Sequence, residues 1–387
     1  MKLGSFLGCM TGTSVDALDL ALIEVSHPNG PESSFNEEVT VTHAHAVPLP
    51  DFLRDALLAC GQPDSSSVDL LGQCDGLLGE VIGESILQWL KTLDIEPASI
   101  TAIGNHGQTV RHRPPGTADQ PFTLQIGDPD SIADLTGIDT IADFRRRDMA
   151  AAGQGAPLAP ASHQVLFDKL DGQPCVLNIG GISNISPLRG RLGGFDVGPG
   201  NCLMDEWYAT HHTEHGANRF DASGAWAASG KVDDALLVSL LNDPYFSLEP
   251  PKSTGREYFN QAWLSPHLEQ TNRDITNQDV QATLAEFTAI SIADCISKSL
   301  PNVSHVPVCG GGRLNTHLLQ RLERALHARG HSQCVVEPTE YWGIDGDAIE
   351  AAAFAWLAYR RHYLLPGNMT EVTGAHGPRV LGAIYPG

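Results

Sequence analysis

Three glycine-containing turns follow short apolar segments, and their composition suits phosphate binding. They cover residues 12–16, 180–183 and 310–312. Successive backbone N–H groups in such a turn form a nest that holds an anion without a lysine, and the missing side chains let a flat nucleoside approach the backbone. Any one of these turns alone would more often be an ordinary loop. Three of them at predicted strand ends indicate a nucleotide site.

A carboxylate stands in a further glycine-containing segment, residues 194–201. The pattern predicts that Asp196 ends a strand, that residues 198–200 turn the chain, and that Asn201 caps the helix that follows. A carboxylate held beside a helix N-terminus can act as a general base. An aspartate that only stabilises the turn is an equally good interpretation of the local sequence.

Positive charge is concentrated in two short runs, residues 111–113 and 145–147, which follow predicted strands. Ligands of α/β sheets bind at strand ends, and an arginine can hold a carboxylate with two parallel hydrogen bonds. The runs therefore indicate contact with an acidic substrate about as well as they indicate a solvated surface.

Several acidic residues are candidates for a magnesium site or for substrate binding. Mg²⁺ needs only one or two carboxylates in addition to phosphate oxygens and water. Glu350 lies in an alanine-rich predicted helix, where it is either a polar substrate contact or an exposed helix carboxylate. The magnesium candidates are Asp16, Asp19, Asp196, Asp345 and Asp347.

Composition limits the class of partner. The 387 residues include 24 Lys and Arg against 46 Asp and Glu, a net charge of −22, and only six are Lys. This balance argues against nucleic acid or an anionic membrane as the partner. Eight dispersed cysteines without a C-x-x-C pair are typical of a reduced, cytoplasmic protein. The apolar pattern predicts neither a signal peptide nor a membrane span.

The elements that must position these residues alternate between strands and helices, which predicts an α/β fold. Residues 3–9 and 18–25 are expected to pair around the first glycine turn. Residues 175–179 and 185–188 repeat this arrangement in the second half, which indicates a duplication. The predicted helices cover residues 51–60, 68–93, 128–135, 159–170, 201–211, 232–241, 277–300, 314–329 and 347–361.

The expected domain organisation follows from these elements. Residues 1–150 together with about 362–387 are predicted to form an N-terminal lobe, and residues 151–361 a C-terminal lobe. The helices at about 159–170 and 347–361 are predicted to connect the two lobes.

Nine segments along the chain are specific in combination, although each is weak alone. They are GTSVDALD (12–19), GNHGQTVRHRP (104–114), TLQIGDP (123–129), ADFRRRDMAAAGQGAPL (142–158), NIGGISN (178–184), GFDVGPGNCLMD (194–205), PPKSTGREYFN (250–260), CGGGRLN (309–315) and GIDGDAIEAAAFAWLA (343–358). In this order the chain resembles the anhydro-N-acetylmuramic acid kinase family of the actin/Hsp70/sugar-kinase superfamily. Ala17 and Ala152 stand where that family usually has glycine.

The resemblance implies two RNase-H-like lobes around a central nucleotide and substrate cleft, with ATP and Mg²⁺ as cofactors. It implies that Asp196 is the catalytic residue and that Asp16 contacts Mg²⁺ through the phosphates. The implied sugar contacts are His106, Gln108, Arg145, Asp196 and Glu350, with Arg146 or Arg147 as alternatives to Arg145. The implied ATP contacts are Gly12, Thr13, Ser14, Val15, Asp16, Ala17, Leu18, Asp19, Asn178, Gly180, Gly181, Gly310, Gly311 and Gly312.

The family's reaction is then the expected function. It hydrolyses the 1,6-anhydro bond of 1,6-anhydro-N-acetylmuramic acid and phosphorylates O6, giving N-acetylmuramic acid 6-phosphate and ADP in peptidoglycan recycling. The partner is then a small anhydro-sugar, and a homodimer is an expectation that the sequence does not decide. The alternatives are a related kinase acting on an ordinary sugar or small acid, and an ATP-gated binding protein without transferase activity.

Overall fold

The computed structural model describes residues 1–12, 15–27, 30–32, 35–62, 67–189, 193–213, 219–249, 252–271 and 274–387. The chain divides into two compact units. Unit 1 comprises Met1–Lys169 and Asp347–Gly387, and unit 2 comprises Leu170–Gly346.

The strands and helices of the described residues agree closely with the predicted alternation. The strands are β1 (Lys2–Thr11), β2 (Ala17–Ser26), β3 (Glu38–Pro48), β4 (Ala102–Asn105), β5 (Gln108–Arg113), β6 (Phe122–Ile126), β7 (Thr140–Ala142), β8 (Gln173–Ile179), β9 (Ile182–Pro187), β10 (Phe195–Pro199), β11 (Val303–Cys309), β12 (Val335–Pro338) and β13 (Ala383–Tyr385). The helices are α1 (Asp51–Gly61), α2 (Val68–Thr92), α3 (Pro129–Thr136), α4 (Arg146–Met149), α5 (Ala159–Leu166), α6 (Cys202–His211), α7 (Ala225–Ser229), α8 (Asp234–Leu241), α9 (Gln261–Gln270), α10 (Asn277–Ser299), α11 (Thr316–Ala328), α12 (Ile349–His362) and α13 (Thr370–Thr373).

The main sheets of the two units share one five-strand topology, to which unit 1 adds β13 as a sixth strand at its edge. In unit 1 the strand order is β13-β7-β4-β1-β2-β3, and in unit 2 it is β10-β9-β8-β11-β12. In each sheet the first strand of the hairpin, β1 or β8, runs parallel to the strand on its other side, β4 or β11, which in turn runs parallel to the next strand, β7 or β12. The second strand of the hairpin runs antiparallel to both its neighbours. This repeat confirms the predicted duplication and is the strand order of the expected RNase-H-like fold.

The boundary between the units differs from the predicted one. It falls after residues 169 and 346, so that both predicted connecting helices, α5 and α12, belong to unit 1. The physical reason is that α12 packs directly on β1, β2 and β4 and also contacts α5. Burial of Ala351, Ala355 and Ala358 against this sheet makes the helix part of the unit's core.

Two glycines let α12 approach the sheet of unit 1 closely. A Cβ on Gly8 in β1 would overlap the carbonyl oxygen of Ala351, and a Cβ on Gly104 in β4 would overlap that of Phe354. The helix therefore lies with its backbone against the strands, with no side chain between them at these two points.

The sequence patterns missed several short elements, and they also missed helix α9 and strand β5. Helix α9 contains Pro266, and its buried residues are few, so that no helical period marks it; it begins where Asn260 Oδ1 accepts the N–H of Trp263, 3.1 Å away. Residues 108–113, which follow the turn after β4, form strand β5 of a two-stranded sheet with β6. No helix in the described part of the chain is long and apolar enough to cross a membrane.

The close approach of α12 predicts a stability effect. Gly104→Ala should lower the thermal midpoint, because the added methyl group overpacks the sheet against the helix at a typical cost of about 1–3 kcal/mol. Gly76→Ala in α2 is the matched control, since a Cβ there would meet nothing within 4 Å. It should raise stability by about 0.5–1 kcal/mol through the helix preference of alanine. Equal midpoints for both variants would contradict the packing argument.

Candidate active site

The predicted sugar contacts other than Asp196, which belongs to unit 2, lie at the carboxyl edge of the unit 1 sheet. Strands β1, β4 and β7 are parallel, so the segments that follow them emerge at the same edge. The backbone N–H of His106 donates to the carbonyl oxygen of Cys9 at 3.0 Å. The hydroxyl of Thr11 donates to the carbonyl oxygen of Gly107 at 3.2 Å. These bonds join the segment after β4 to the end of β1.

Arg145 follows β7 and is bonded to His106. Its Nε and Nη2 lie 3.1 and 3.0 Å from His106 Nε2, which accepts their hydrogens. His106 Nδ1 lies 2.9 Å from the carbonyl oxygen of Gly107, to which it donates. Burial, and then the charge of Arg145, hold the pKa of His106 well below its ordinary value. The imidazole is therefore neutral and keeps one tautomer, while Arg145 remains the charged member of the pair.

A buried aspartate fixes the segment behind Arg145. Arg145 Nη1 donates to the carbonyl of Gly155 at 2.9 Å, and the N–H of Gly155 donates to Asp148 at 2.8 Å. Asp148 is fully buried and also accepts bonds from Asn368 and Thr373, at 2.7 and 2.8 Å. The guanidinium position thus depends on a carboxylate that does not touch it.

Glu350 and Gln108 complete the predicted sugar contacts in unit 1. Glu350 is the second residue of α12, and its side chain reaches solvent. The surrounding protein raises the pKa of its carboxyl, and the charge of Arg145 opposes that rise. Gln108 is buried, and its Oε1 has no hydrogen-bond partner among the described residues. A buried acceptor without a partner is costly, so this oxygen is available for a donor from a ligand.

The first glycine turn is described only in part, because Thr13 and Ser14 lie outside the described residues. Val15 has a φ of 55° and donates its N–H to the carbonyl of Gly12 at 3.1 Å. The side chains of Val15 and Leu18 are buried in the core of unit 1. Only their backbones can therefore contact a ligand.

The two aspartates at the first glycine turn, Asp16 and Asp19, lie in different places. The side chain of Asp16 is exposed, and its carbonyl accepts the N–H of Leu49 at 3.1 Å. Ala17 and Asp19 lie within β2, where Asp19 is paired with Met10 of β1. Asp16 is thus the carboxylate nearest the tip of the turn in sequence.

The predicted nucleotide residues of unit 2 come together at one sheet edge. Strands β8 and β11 are parallel, with Cys309 opposite Asn178, so residues 180–181 and 310–312 emerge side by side. Gly310 has a φ of 74°, and a Cβ on it would overlap Asn178 Oδ1. A Cβ on Gly312 would overlap the Ile179 side chain, whereas one on Gly311 would meet only Asn201 Nδ2, 3.9 Å away. These two glycine turns therefore lie side by side at the same edge of the sheet.

Helix α6 is joined to the second glycine turn through backbone bonds. The N–H groups of Gly200 and Cys202 donate to the carbonyl of Gly181, at 2.9 and 3.1 Å, and that of Asn201 donates to Gly180 at 2.8 Å. The predicted side-chain cap is wrong: Asn201 makes no capping bond, because its Nδ2 donates to the carbonyl of Ile179 at 3.3 Å.

Asp196 does not end a strand, contrary to the sequence prediction. It is the second residue of β10, which continues across a bulge because Gly198 and Pro199 still pair with β9. Asp196 Oδ2 accepts two bonds, from Ser253 Oγ at 2.8 Å and from the N–H of Thr254 at 3.1 Å. No hydrogen bond from a described residue reaches Oδ1.

Electrostatics favour a basic character for this carboxylate. Burial raises the pKa of Asp196 above its ordinary value, and the bonds from Thr254 and Ser253 oppose that rise. A raised pKa improves a carboxylate as a proton acceptor. Ser253 and Thr254 lie within the predicted segment 250–260, but no pattern in the sequence indicates that they hold Asp196, because they are far from it along the chain.

The two arginine runs have different surroundings. Arg111, within β5, donates to the carbonyls of Gly61 and Gln62 at 2.9 and 3.4 Å and so holds the end of α1. Arg146 is paired with Asp143 at 3.2 Å. Arg113 and Arg147 are exposed. Among these residues only Arg145 is bonded to another predicted site residue.

Comparisons with known proteins decide the family. The family model for anhydro-N-acetylmuramic acid kinase matches residues 4–387. The chain belongs to this family. A relative of that name from Saccharophagus degradans is 45% identical over 388 residues, covering 100% of both chains. Another, from Pasteurella multocida, is 46% identical and covers 98% of this chain and 96% of its own.

Among solved structures, the similarity is low. A ROK family glucokinase from Streptomyces griseus, in complex with glucose and AMPPNP, is 10% identical over 92% of this chain and 100% of its own. Its TM-score is 0.38. Membership of the anhydro-N-acetylmuramic acid kinase family follows from the family model and the sequence relatives.

The bonds to Asp148 predict a local loss of stability on substitution. Asp148→Asn replaces one accepting oxygen with an NH₂ group, which leaves at least one of the three donors unpaired. A buried unpaired group costs about 1–3 kcal/mol, so the thermal midpoint should fall. Asp134→Asn, on the exposed side of α3, is the control and should change stability by less than about 0.5 kcal/mol. A midpoint unchanged in Asp148→Asn would refute this role.

Proposed function

We propose that this chain hydrolyses the 1,6-anhydro bond of 1,6-anhydro-N-acetylmuramic acid and phosphorylates O6 with ATP, yielding N-acetylmuramic acid 6-phosphate and ADP. Support comes from the family match over residues 4–387. The observation that carries the chemistry is the Asp196 carboxylate, with one oxygen held by Ser253 and Thr254 and the other open. This reaction needs such a base, because it consumes a water.

Asp196 is the general base in this proposal. Its Oδ1 takes a proton from a water, and the water oxygen forms a bond with the anomeric carbon of the sugar. The bond between C1 and O6 breaks, and O6 leaves with the electron pair. O6 then attacks the γ-phosphorus of ATP, ADP departs, and the proton on Asp196 returns to solvent. Base catalysis of this kind contributes about 10²–10⁴-fold.

The glycine turns supply the proposed nucleotide contacts. Space above Gly311 is open, and a nucleoside needs such an approach to the backbone. No group of three or more His, Cys, Asp or Glu residues in the described ranges could hold a metal ion. This fits an ion held mainly by phosphate oxygens, with Asp16 as its protein carboxylate. When bound, Mg²⁺ neutralises charge on the phosphates.

Arg145 is proposed to bind the lactyl carboxylate of the sugar. Its bond to the neutral His106 and its lack of an ion pair within the described residues leave its charge for an anionic ligand. Glu350 and Gln108 are proposed to accept hydrogen bonds from sugar hydroxyl or amide groups. A cytoplasmic location and a homodimer remain predictions.

The deciding experiment is incubation of the protein with 1,6-anhydro-N-acetylmuramic acid and Mg-ATP in ¹⁸O-water. Mass spectrometry should detect the 6-phosphate with ¹⁸O at C1. A 6-phosphate formed only from the ring-opened sugar, without ¹⁸O, would favour the ordinary sugar kinase. ATP hydrolysis stimulated by peptide or self-association, with no sugar phosphate, would favour the binding protein.

The assigned base predicts a large loss of turnover in Asp196→Asn. The amide keeps the size of the side chain but cannot take the proton, so kcat should fall by about 10²–10⁴-fold. The affinity for a non-hydrolysable ATP analogue, measured by calorimetry, should stay near that of the wild type. Wild-type turnover in this variant would remove Asp196 from the role.

The hydrogen bond from Ser253 predicts a change in the pH profile. This bond stabilises the ionised form of Asp196 and lowers its pKa, so Ser253→Ala raises that pKa. Since the ionised carboxylate is the active form, the acidic limb of kcat/KM should move to higher pH. Thr254→Ala is the matched control, because Thr254 donates to Asp196 through its backbone N–H, which the substitution keeps. The acidic limb of kcat/KM in this variant should therefore stay at the wild-type pH. Identical limbs in both variants would show that Ser253 does not tune the base.

A further inference from the structure

Arg256 lies directly against the second glycine turn of unit 2. A Cβ on Gly181 would be 2.8 Å from Arg256 Nε and 2.9 Å from its Nη2. The guanidinium therefore covers the backbone of this turn at the point where a side chain would stand. Gly181 follows β8 and is one of the residues expected to contact ATP.

The segment that carries Arg256 is held firmly on both sides. The N–H of Thr254 is bonded to Asp196, and the carbonyl of Arg256 accepts Asn260 Nδ2 at 3.1 Å. Phe259 is fully buried and donates its N–H to the carbonyl of Gly255 at 3.1 Å. The same short segment thus orients the catalytic carboxylate and places a cation on the glycine turn.

The charge of Arg256 is not neutralised by an ion pair with any described residue. Its side chain is exposed and makes no hydrogen bond or salt bridge within the described ranges. The acidic group in its field is Asp205 of α6. Burial raises the pKa of that carboxyl to about 6, and the charge of Arg256 opposes the rise. The Arg256 guanidinium therefore has hydrogen-bond donors available beside a turn whose composition suits an anion. An anionic ligand bound at this turn would form charge-assisted hydrogen bonds with it.

We propose that Arg256 binds the phosphate chain of ATP at the Gly180–Gly181 turn and stabilises the charge that develops there during transfer. The role in stabilising charge during transfer rests on the proposed function, whereas the binding of the phosphate chain does not depend on which acceptor is phosphorylated. Arginine is suited to it, because its fixed fork of donors matches phosphate oxygens and because arginine clamps on transferring phosphoryl groups lower the barrier. The phosphate chain is favoured over the sugar carboxylate because the guanidinium covers the glycine turn itself.

Calorimetry with AMPPNP, ADP and AMP tests the proposal. Arg256→Gln should weaken AMPPNP binding by about ten- to a hundredfold, the usual worth of a hydrogen bond to a charged group, and leave AMP unchanged. Arg256→Lys should be intermediate, since it keeps the charge but loses the fork. Arg324→Gln on α11 removes the same charge from an exposed position of the same unit and should bind all three nucleotides like the wild type.

The other outcomes overturn either the assignment of Arg256 or the proposed reaction, and the two failures can be distinguished. AMPPNP affinity unchanged in Arg256→Gln removes the contact, and an equal loss for AMP indicates a disturbed turn, which the thermal midpoint would also report. A raised KM for the anhydro-sugar alone indicates a contact with its carboxylate. The proposed reaction fails separately: a wild type that binds AMPPNP but yields no 6-phosphate overturns the acceptor and leaves the Arg256 measurement valid. A wild type that binds no AMPPNP overturns both.

Discussion

The close packing of α12 on the unit 1 sheet is the constraint on which the sugar-binding residues depend. Gly8 and Gly104 bring the helix backbone onto β1 and β4, with no side chain between them. The helix then places Glu350, its second residue, at the edge where the parallel strands end. Further along, Phe354 packs on the His106 ring, with centroids 4.4 Å apart. One helix therefore places a carboxylate and supports the imidazole that orients Arg145.

The far part of the same helix is fixed by a buried charge cluster. Arg360 and Glu37 are each about 1% exposed and lie 3.2 Å apart, and Glu37 also accepts Trp356 Nε1 at 2.6 Å. A buried ion pair adds little net stability, but the loss of one partner leaves a costly unpaired charge. The cluster therefore fixes the position of α12 along the sheet more than it adds to stability, and the position of Glu350 follows from it.

Sequence patterns predicted the features that are determined by residues close together along the chain. The helix that Asp128 caps and Pro129 begins is confirmed, because both devices act within one turn. The duplication is confirmed because each hairpin carries its own apolar period and glycine turn. By contrast, the bulge at Gly198 that puts Asp196 inside β10, and the contact of Ser253 with Asp196, join residues distant in sequence. Contacts between residues that are distant in sequence produce no local pattern of apolar residues. The packing of α12 on the unit 1 sheet is a contact of this kind, so its membership of unit 1 could not be predicted.

The strongly acidic composition becomes intelligible from the partners of the arginines. The charge of several arginines is neutralised by an ion pair within the fold. These pairs are Arg313 with Glu340, Arg321 with Glu286, Arg329 with Asp294 and Arg360 with Glu37. Arg145 is held instead by a neutral imidazole and a carbonyl, and Arg256 by packing on Gly181. Neither guanidinium forms an ion pair with a described residue, although Glu350 lies in the field of Arg145 and Asp205 in that of Arg256, so their charge is available to an anionic ligand. An acidic protein can therefore bind anions at points where an arginine is held without a direct carboxylate partner.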